Sequence, residues 1–114
     1  MGRTAYGRAL VDERGFALYV FTHDRSAHST CYGPCAAAWP PYLVAKRPSK
    51  AARGTPARLL GSVRRADGRL QVTYAGQPLY YYVGDRRAGQ VLCQAVREFG
   101  GTWYVVAPSG DAIR

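Results

Sequence analysis

The sequence predicts an all-β fold: a small antiparallel sandwich or barrel built from two pseudo-symmetric hairpin repeats, with one or two short helical turns. An internal repeat, short strand-like runs bounded by turn residues, and a scarcity of helical periodicity support this prediction. Residues 15–24, GFALYVFTHD, align without a gap with residues 76–85, GQPLYYYVGD. Glycine, leucine, tyrosine and aspartate coincide in the two copies, which indicates a duplicated structural unit.

About eight short strands follow from the pattern of apolar runs and turns. Residues 8–11 and 17–21 form the first predicted hairpin, closed by a loop that ends in Gly15. Residues 59–64 and 70–74 form the second, around Asp67-Gly68, which is a strong hairpin signal. Gly76 then turns the chain into a strand over residues 78–83. Residues 102–107 begin a last hairpin, which turns at residues 108–111.

Helical signals are confined to two places. Residues 34–39 begin with proline, contain three alanines and precede Pro40-Pro41, so they predict a short helix that ends there. Residues 91–98 predict a second helical turn at the matching place in the other copy. The expected organisation is one domain over residues 1–114, with repeat 1 at about 7–45, a basic connector at about 46–57 and repeat 2 at about 58–114.

Positive charge dominates the composition. The 114 residues carry a net charge of +9. Much of the excess lies in one segment, with only Asp67 against it: Lys46, Arg47, Lys50, Arg53, Arg58, Arg64, Arg65 and Arg69. Such a surface attracts polyanions, although a solvated loop that favours solubility is the preferred interpretation. No apolar run approaches the roughly 18 residues of a membrane-spanning helix, and no signal-peptide pattern opens the chain, so we expect neither here.

Three sequence blocks together carry a family resemblance. They are the two Tyr-x-aromatic-x-x-Asp copies, the CYGPCAAAWPP block at residues 31–41 and GGTWYVV at residues 100–106. In this order they resemble the bacterial secreted-repeat lipoproteins, which are named for a Yx(F/W/Y)xxD motif and whose function is largely unassigned. The resemblance implies an extracytoplasmic protein that is secreted or lipid-anchored, and it brings no catalytic residues. The motif positions it covers are Tyr19, Phe21, Asp24, Tyr80, Tyr82, Asp85, Cys31, Cys35, Trp39, Pro40 and Pro41.

The cysteines leave two interpretations open. Cys31 and Cys35 lie four residues apart across a turn, and a disulfide is feasible if their Cα atoms come within about 7 Å. An oxidising compartment would make it a structural link. Alternatively, His23 and His28 together with the two thiols form a possible copper or zinc set, or part of a haem-linked redox protein. Cys93 is unpaired, and we expect it to be buried beside Val91 and Leu92.

The repeated aromatic residues predict a core rather than a ligand platform. Residues two apart share one face of a strand, so Tyr19 and Phe21, like Tyr80 and Tyr82, would face the interior together with Trp39 and Trp103. Buried tyrosine hydroxyls need partners, and Asp24 and Asp85 are the expected acceptors or turn-capping groups. Stacking of these rings on a sugar, base or haem is the less favoured alternative.

The functional prediction is a non-enzymatic secreted or cell-envelope module that binds or supports another component without a cofactor. Its partner would be an envelope component or an anionic polymer of unknown identity. The alternatives are the metal or haem-linked redox protein described above, and a basic polyanion-binding domain with nucleic acid as a less favoured ligand. No paired-carboxylate site, phosphate loop or nucleophile motif is recognisable in the sequence.

Overall fold

The computed structural model describes residues 2–24, 28–45 and 57–113. Its elements in chain order are β1 (Gly2–Thr4), β2 (Gly7–Ala9), β3 (Tyr19–Phe21), α1 (Pro34–Ala38), β4 (Leu43–Val44), a 3₁₀ turn (Ala57–Leu59), β5 (Leu60–Arg64), β6 (Leu70–Tyr74), β7 (Gln77–Pro78), β8 (Val96–Glu98) and β9 (Gly101–Val105). The strands pair antiparallel throughout. The all-β prediction is confirmed, as a sandwich-like fold whose sheets do not close into a barrel.

Three sheets make up this part of the chain. β1 and β2 form a hairpin, and β9 lies between β3 and β8 in the second sheet. In the third sheet β6 is central: β5 pairs along one edge, whereas β4 and β7 follow one another along the opposite edge. The two larger sheets are therefore unequal in strand number. Equivalence of the two predicted repeats at the level of whole sheets stays a prediction.

Two hydrophobic cores lie on opposite faces of β3. Tyr19 and Phe21 belong to the first core, and Val20, with the preceding Leu18, belongs to the second. This division follows from the strand itself, because successive side chains point to opposite faces. Members of the first core are Ala9, Ala17, Tyr19, Phe21, Cys31, Cys35, Trp39, Tyr80, Trp103 and Val105. Members of the second are Leu10, Leu18, Val20, Leu60, Val72, Tyr74, Leu79 and Val106.

The predicted hairpins lie where the turn residues place them. Val11 bridges Ala17 in the first hairpin, and Val106 bridges Ala112 in the last. Between β5 and β6, Gly68 has a φ of 90°, a conformation that glycine adopts without steric cost. The predicted strand over residues 78–83 is shorter, because only β7 and an isolated bridge at Tyr80 remain. Most of the predicted basic connector, residues 46–56, lies outside the described residues.

The helical prediction is confirmed at one place and wrong at the other. α1 begins with Pro34 and ends at Ala38, where the backbone N–H of Trp39 still donates to Cys35 before Pro40 stops the helix. Residues 91–98, predicted to form a helical turn, instead end in β8. That strand pairs with β9 through a tight turn in which Phe99 and Gly100 both have positive φ. Pairing with the next strand of the hairpin outweighs the local helical propensity of these residues.

Cys31 and Cys35 form a disulfide at the start of α1, which is the first of the two interpretations of their spacing. Their Cα atoms are 5.2 Å apart, within the range that a disulfide requires. Both residues are buried in the first core. The link therefore fixes the loop before α1 against the aromatic interior.

Reducing the disulfide should lower the free energy of unfolding by about 2 kcal/mol, the chain-entropy value for so short a loop. The measurement is denaturant unfolding of the Cys93→Ser variant with and without reductant, since this variant leaves Cys31 and Cys35 as the only thiols. A reduced form as stable as the oxidised form would show that the link contributes nothing to the fold.

Candidate functional site

The two copies of the repeated motif meet at their tyrosines. The backbone N–H of Tyr19 donates to the carbonyl of Tyr80 at 2.8 Å, and the N–H of Tyr80 donates to the carbonyl of Tyr19 at 2.9 Å. This exchange of both hydrogen bonds defines an antiparallel bridge between equivalent positions of the repeat. The first copy thus aligns against the second at one register.

The side chains of the same residues cross between the copies. The Tyr19 hydroxyl donates to Asp85 Oδ2 at 2.6 Å, and the Tyr80 hydroxyl donates to Asp24 Oδ2 at 2.8 Å. Each signature tyrosine therefore bonds the aspartate of the other copy. The aspartates were predicted as acceptors, but the exchange between copies was not visible in the sequence.

The remaining carboxylate oxygens hold the loops that follow each copy. Asp24 Oδ1 accepts from the backbone N–H of Thr30 at 2.8 Å, and Asp85 Oδ1 accepts from that of Leu92 at 3.0 Å. The aspartates thus combine the two predicted roles, since each accepts from a tyrosine and also organises a turn. We call Tyr19, Tyr80, Asp24 and Asp85 the reciprocal tetrad.

Burial shifts the ionisation of the whole tetrad. Burial raises the pKa of both Asp24 and Asp85, and the hydrogen bonds that each accepts only partly oppose this effect. Burial also raises the pKa of Tyr19, and the bond to Asp85 adds to it. Burial and the negative charge of Asp24 raise the pKa of Tyr80 in the same way. The phenols therefore stay protonated and act as donors.

An aromatic stack fills the first core beside the tetrad. Phe21 lies parallel to Trp103 with ring centroids 4.0 Å apart, and Trp103 lies parallel to Trp39 at 4.1 Å. Tyr82 covers Trp39 from a tilted position at 4.7 Å. Both tryptophans are fully buried, whereas Tyr82 is half-buried. Neighbouring rings therefore cover the faces of both tryptophans, so a ligand has no tryptophan face on which to stack.

Glu98, which the sequence analysis did not single out, anchors both indoles. Its Oε1 accepts from Trp39 Nε1 at 2.7 Å, and its backbone carbonyl accepts from Trp103 Nε1 at 3.2 Å. Buried tryptophan N–H groups need such acceptors. Trp39 lies 59 residues from Glu98 in the chain, so this bond has no local sequence signal.

The sequence analysis also overlooked Arg65, because it grouped this residue with the exposed basic residues. The expectation that Arg65 is exposed is wrong. Its side chain is buried, and it donates to the Cys31 carbonyl at 2.7 Å and to Gln71 Oε1 at 2.8 Å. It also donates to Ser29 Oγ at 2.9 Å, and Ser29 Oγ hydrogen-bonds the Tyr80 hydroxyl. A continuous polar network thus joins the tetrad to the disulfide loop.

A second buried carboxylate belongs to the first hairpin. Asp12 is inaccessible to solvent; it accepts from the backbone N–H groups of Arg14 and Phe16, and from the Tyr81 hydroxyl at 2.8 Å. Burial alone would raise the pKa of Asp12, but these hydrogen bonds together with the Arg14 guanidinium outweigh it and lower the pKa. Tyr81, which alternates with the signature residues, therefore points away from the tetrad as the strand period predicted.

The predicted His/Cys metal set is not assembled in the oxidised protein. Cys31 and Cys35 are bonded to each other, so neither offers a thiolate ligand, and His23 and His28 are exposed. Within residues 2–24, 28–45 and 57–113, no three His, Cys, Asp or Glu side chains are grouped to hold a metal ion. Nor does this part of the chain contain a helix long and apolar enough to cross a bilayer.

Cys93 lies at the edge of the first core. Its free thiol is half-buried and packs against that core, whereas the neighbouring Leu92 is 57% exposed. The expectation that Cys93 is buried beside Leu92 is therefore only partly met, because Cys93 is half-buried and Leu92 is exposed. Burial raises the pKa of the thiol, and the nearby Tyr82 hydroxyl opposes that effect. The protonated form is consequently favoured, which is unlike a reactive cysteine.

Removing one tetrad hydroxyl should destabilise the fold through its partner in the other copy. We expect Tyr19→Phe to lower the free energy of unfolding by roughly 1.5–3 kcal/mol, since it removes a buried hydrogen bond to a carboxylate. A double-mutant cycle of Tyr19→Phe with Asp85→Asn should give a coupling energy of about 1 kcal/mol or more.

Two controls accompany this cycle in denaturant unfolding experiments. Tyr19→Phe with Asp24→Asn, a pair within one copy and without a direct bond, should couple more weakly. Tyr6→Phe, at a residue that is 47% exposed, should change the free energy by less than about 0.5 kcal/mol. Stronger coupling within a copy than between copies would contradict the exchanged pairing.

The pH dependence should have opposite signs at Asp85 and Asp12. The pKa of Asp85 is raised by folding, so the wild type should gain stability relative to Asp85→Asn as the pH falls through that raised pKa towards the ordinary value of 3.8. The pKa of Asp12 is lowered, so the wild type should lose stability relative to Asp12→Asn as the pH falls below 3.8. Free energies of unfolding between pH 7 and pH 3 test both; equal signs would contradict the assigned shifts.

A family model matches most of the chain. This model is described as a secreted repeat of unknown function and matches residues 2–42 and 61–107, more than half of the chain. No curated protein and no solved structure matches the chain. Both matched ranges contain a copy of the motif and one of the stacked tryptophans, so the match covers the elements that form the reciprocal tetrad and the aromatic stack. The chain belongs to this family of secreted repeats.

Proposed function

We propose that the chain is a non-enzymatic module of the cell envelope, secreted or lipid-anchored, that binds an anionic envelope polymer through its cationic surface. The observation that carries the proposal is the different placement of the motif residues and the arginines. The repeated motif is used inside the fold, whereas unpaired positive charge remains outside. Family membership supports the extracytoplasmic location, because the family is described as secreted.

The residues of the tetrad and of the aromatic stack lie in the interior. Tyr19, Tyr80, Trp39 and Trp103 are fully buried, and Asp85 is 8% exposed. The hydroxyls, carboxylates and indole N–H groups of these residues already have partners. A ligand could reach them only if the core opened, so we assign them to the architecture of the module.

The positive charge of the surface remains because few acidic residues pair with arginines. All seven accept a hydrogen bond from within the protein: Asp12, Glu13, Asp24, Asp67, Asp85, Glu98 and Asp111. Only Asp12 and Asp67 form ion pairs with arginine among the described residues. Exposed arginines without a carboxylate partner there are Arg3, Arg8, Arg58, Arg64, Arg86, Arg87 and Arg97. Such a surface favours association with polyanions.

The proposed module works without a cofactor. The copper, zinc or haem alternative uses His23, His28, Cys31 and Cys35 as one set, and the disulfide removes both thiolates from that set while it is intact. The nucleic-acid alternative requires aromatic rings exposed between arginines. The motif does not supply such rings, because Tyr19, Phe21 and Tyr80 are buried and Tyr82 is half-buried; the exposed Tyr6, between Arg3 and Arg8, is a single ring of that kind.

Binding should survive loss of a tetrad hydroxyl. We expect Tyr80→Phe to sediment with isolated bacterial cell walls as the wild type does, at an ionic strength of about 0.15 M and at a temperature where circular dichroism shows it folded. A scrambled chain of identical composition is the matched control, because it has the same net charge, and it should bind at least tenfold more weakly.

Two results would contradict the proposal. If folded Tyr80→Phe lost binding, the motif would be the binding site rather than part of the architecture. If the scrambled chain bound as tightly as the protein, net charge alone would explain the association and the folded surface would have no role.

A further inference from the structure

Arg3 and Arg8 form an unfavourable pair that the fold does not compensate. They are direct cross-strand partners in the β1–β2 hairpin, and both are exposed. Opposed residues in an antiparallel pair have Cβ atoms about 5 Å apart, and like charges there are destabilising. Neither arginine forms an ion pair with a described carboxylate. The hairpin therefore presents two concentrated positive charges to solvent.

A second arginine pair lies on the segment that packs against this hairpin. Gly89 approaches β1 so closely that a Cβ there would lie 3.2 Å from the Arg3 carbonyl oxygen. Its N–H donates to the Gly15 carbonyl at 3.0 Å, which docks the same turn on the first hairpin loop. Arg86 and Arg87 precede Gly89 by three and two residues and are exposed.

The turn that carries the second pair is internally braced. The Gln90 side chain accepts from the N–H of Arg86 at 2.6 Å, and the N–H of Gln90 donates to the Arg87 carbonyl at 3.2 Å. These bonds and the contact of Gly89 hold the turn beside β1. Arg3, Arg8, Arg86 and Arg87 are hereafter the arginine face.

The acidic residues nearest in sequence form no ion pair with the arginine face. Asp12 is buried and pairs with Arg14, Glu13 accepts from the Tyr42 hydroxyl, and Asp85 accepts from Tyr19. These are the acidic residues nearest in sequence to the two pairs. None of them forms an ion pair with Arg3, Arg8, Arg86 or Arg87 among the described residues, so these four positive charges on adjoining segments lack a direct carboxylate partner.

We propose that the arginine face is the binding surface for a polymer with repeating phosphate groups, as in phosphate-bearing cell-wall polymers. This inference rests on the proposed function and specifies its ligand chemistry and location. Guanidinium groups match phosphate oxygens through two parallel hydrogen bonds, which a lysine ammonium does not do. All four charges are arginines, and four charges on two segments suit successive phosphates better than a single small anion. Binding releases counterions, so salt weakens it.

The test is titration with long-chain inorganic polyphosphate. We expect Arg3→Gln/Arg8→Gln and, separately, Arg86→Gln/Arg87→Gln to weaken binding at least tenfold. Each pair should also reduce the slope of log affinity against log salt by about 2, since two phosphate contacts are lost. The matched control is Arg58→Gln/Arg97→Gln, which removes two exposed charges elsewhere and should weaken binding less than threefold. Circular dichroism verifies folding of every variant.

Three outcomes would overturn the inference, and they separate it from the proposed function. If the control variant lost as much binding as the two test variants, binding would be spread over the whole surface. The arginine face would then be rejected as the site, but the proposed envelope-binding function would stand. Binding to vesicles with anionic lipid but not to polyphosphate would reject the phosphate polymer in favour of a membrane surface. Failure to bind cell walls, polyphosphate or vesicles even at low salt would reject both proposals.

Discussion

The fold depends on the exchange of hydrogen bonds between the two copies of the motif. A buried phenol and a buried carboxylate are both costly without partners, and Tyr19 finds its carboxylate at Asp85 while Tyr80 finds its own at Asp24. Neither copy satisfies its own tyrosine. The copies are therefore held in one register, and strand β3 can bury Tyr19 and Phe21 on one face and Val20 on the other.

A polar network extends this constraint from the tetrad to the disulfide. Tyr80 contacts Ser29, Ser29 accepts from Arg65, and Arg65 holds the carbonyl of Cys31. The Arg65 guanidinium also lies over the Tyr32 ring at 4.3 Å, a favourable cation–π arrangement. A buried arginine is tolerated here because carbonyl, amide, hydroxyl and ring partners replace much of its hydration. The disulfide loop and the repeated motif thus belong to one cooperative interior.

Local patterns were sufficient to predict what depends on neighbours in sequence. The alternation of Tyr19 and Phe21 predicted their shared core, Asp67-Gly68 predicted a hairpin, and the spacing of Cys31 and Cys35 predicted their link. Roles that depend on distant partners were not predictable in this way. Arg65 was grouped with exposed charges because the Cys31 carbonyl meets it only after folding, and Glu98 was overlooked because its partner Trp39 lies 59 residues away.

Because the tetrad is bonded within the fold, we propose that the motif serves the architecture and that the arginines outside bind the ligand. The most direct measurement of this claim is an alkaline titration by nuclear magnetic resonance of the protein with ¹³C-labelled tyrosine. The account predicts that Tyr19 and Tyr80 stay protonated well above pH 10, the ordinary tyrosine pKa, until the protein unfolds. Ionisation of Tyr19 and Tyr80 near pH 10 in the folded protein would contradict the account.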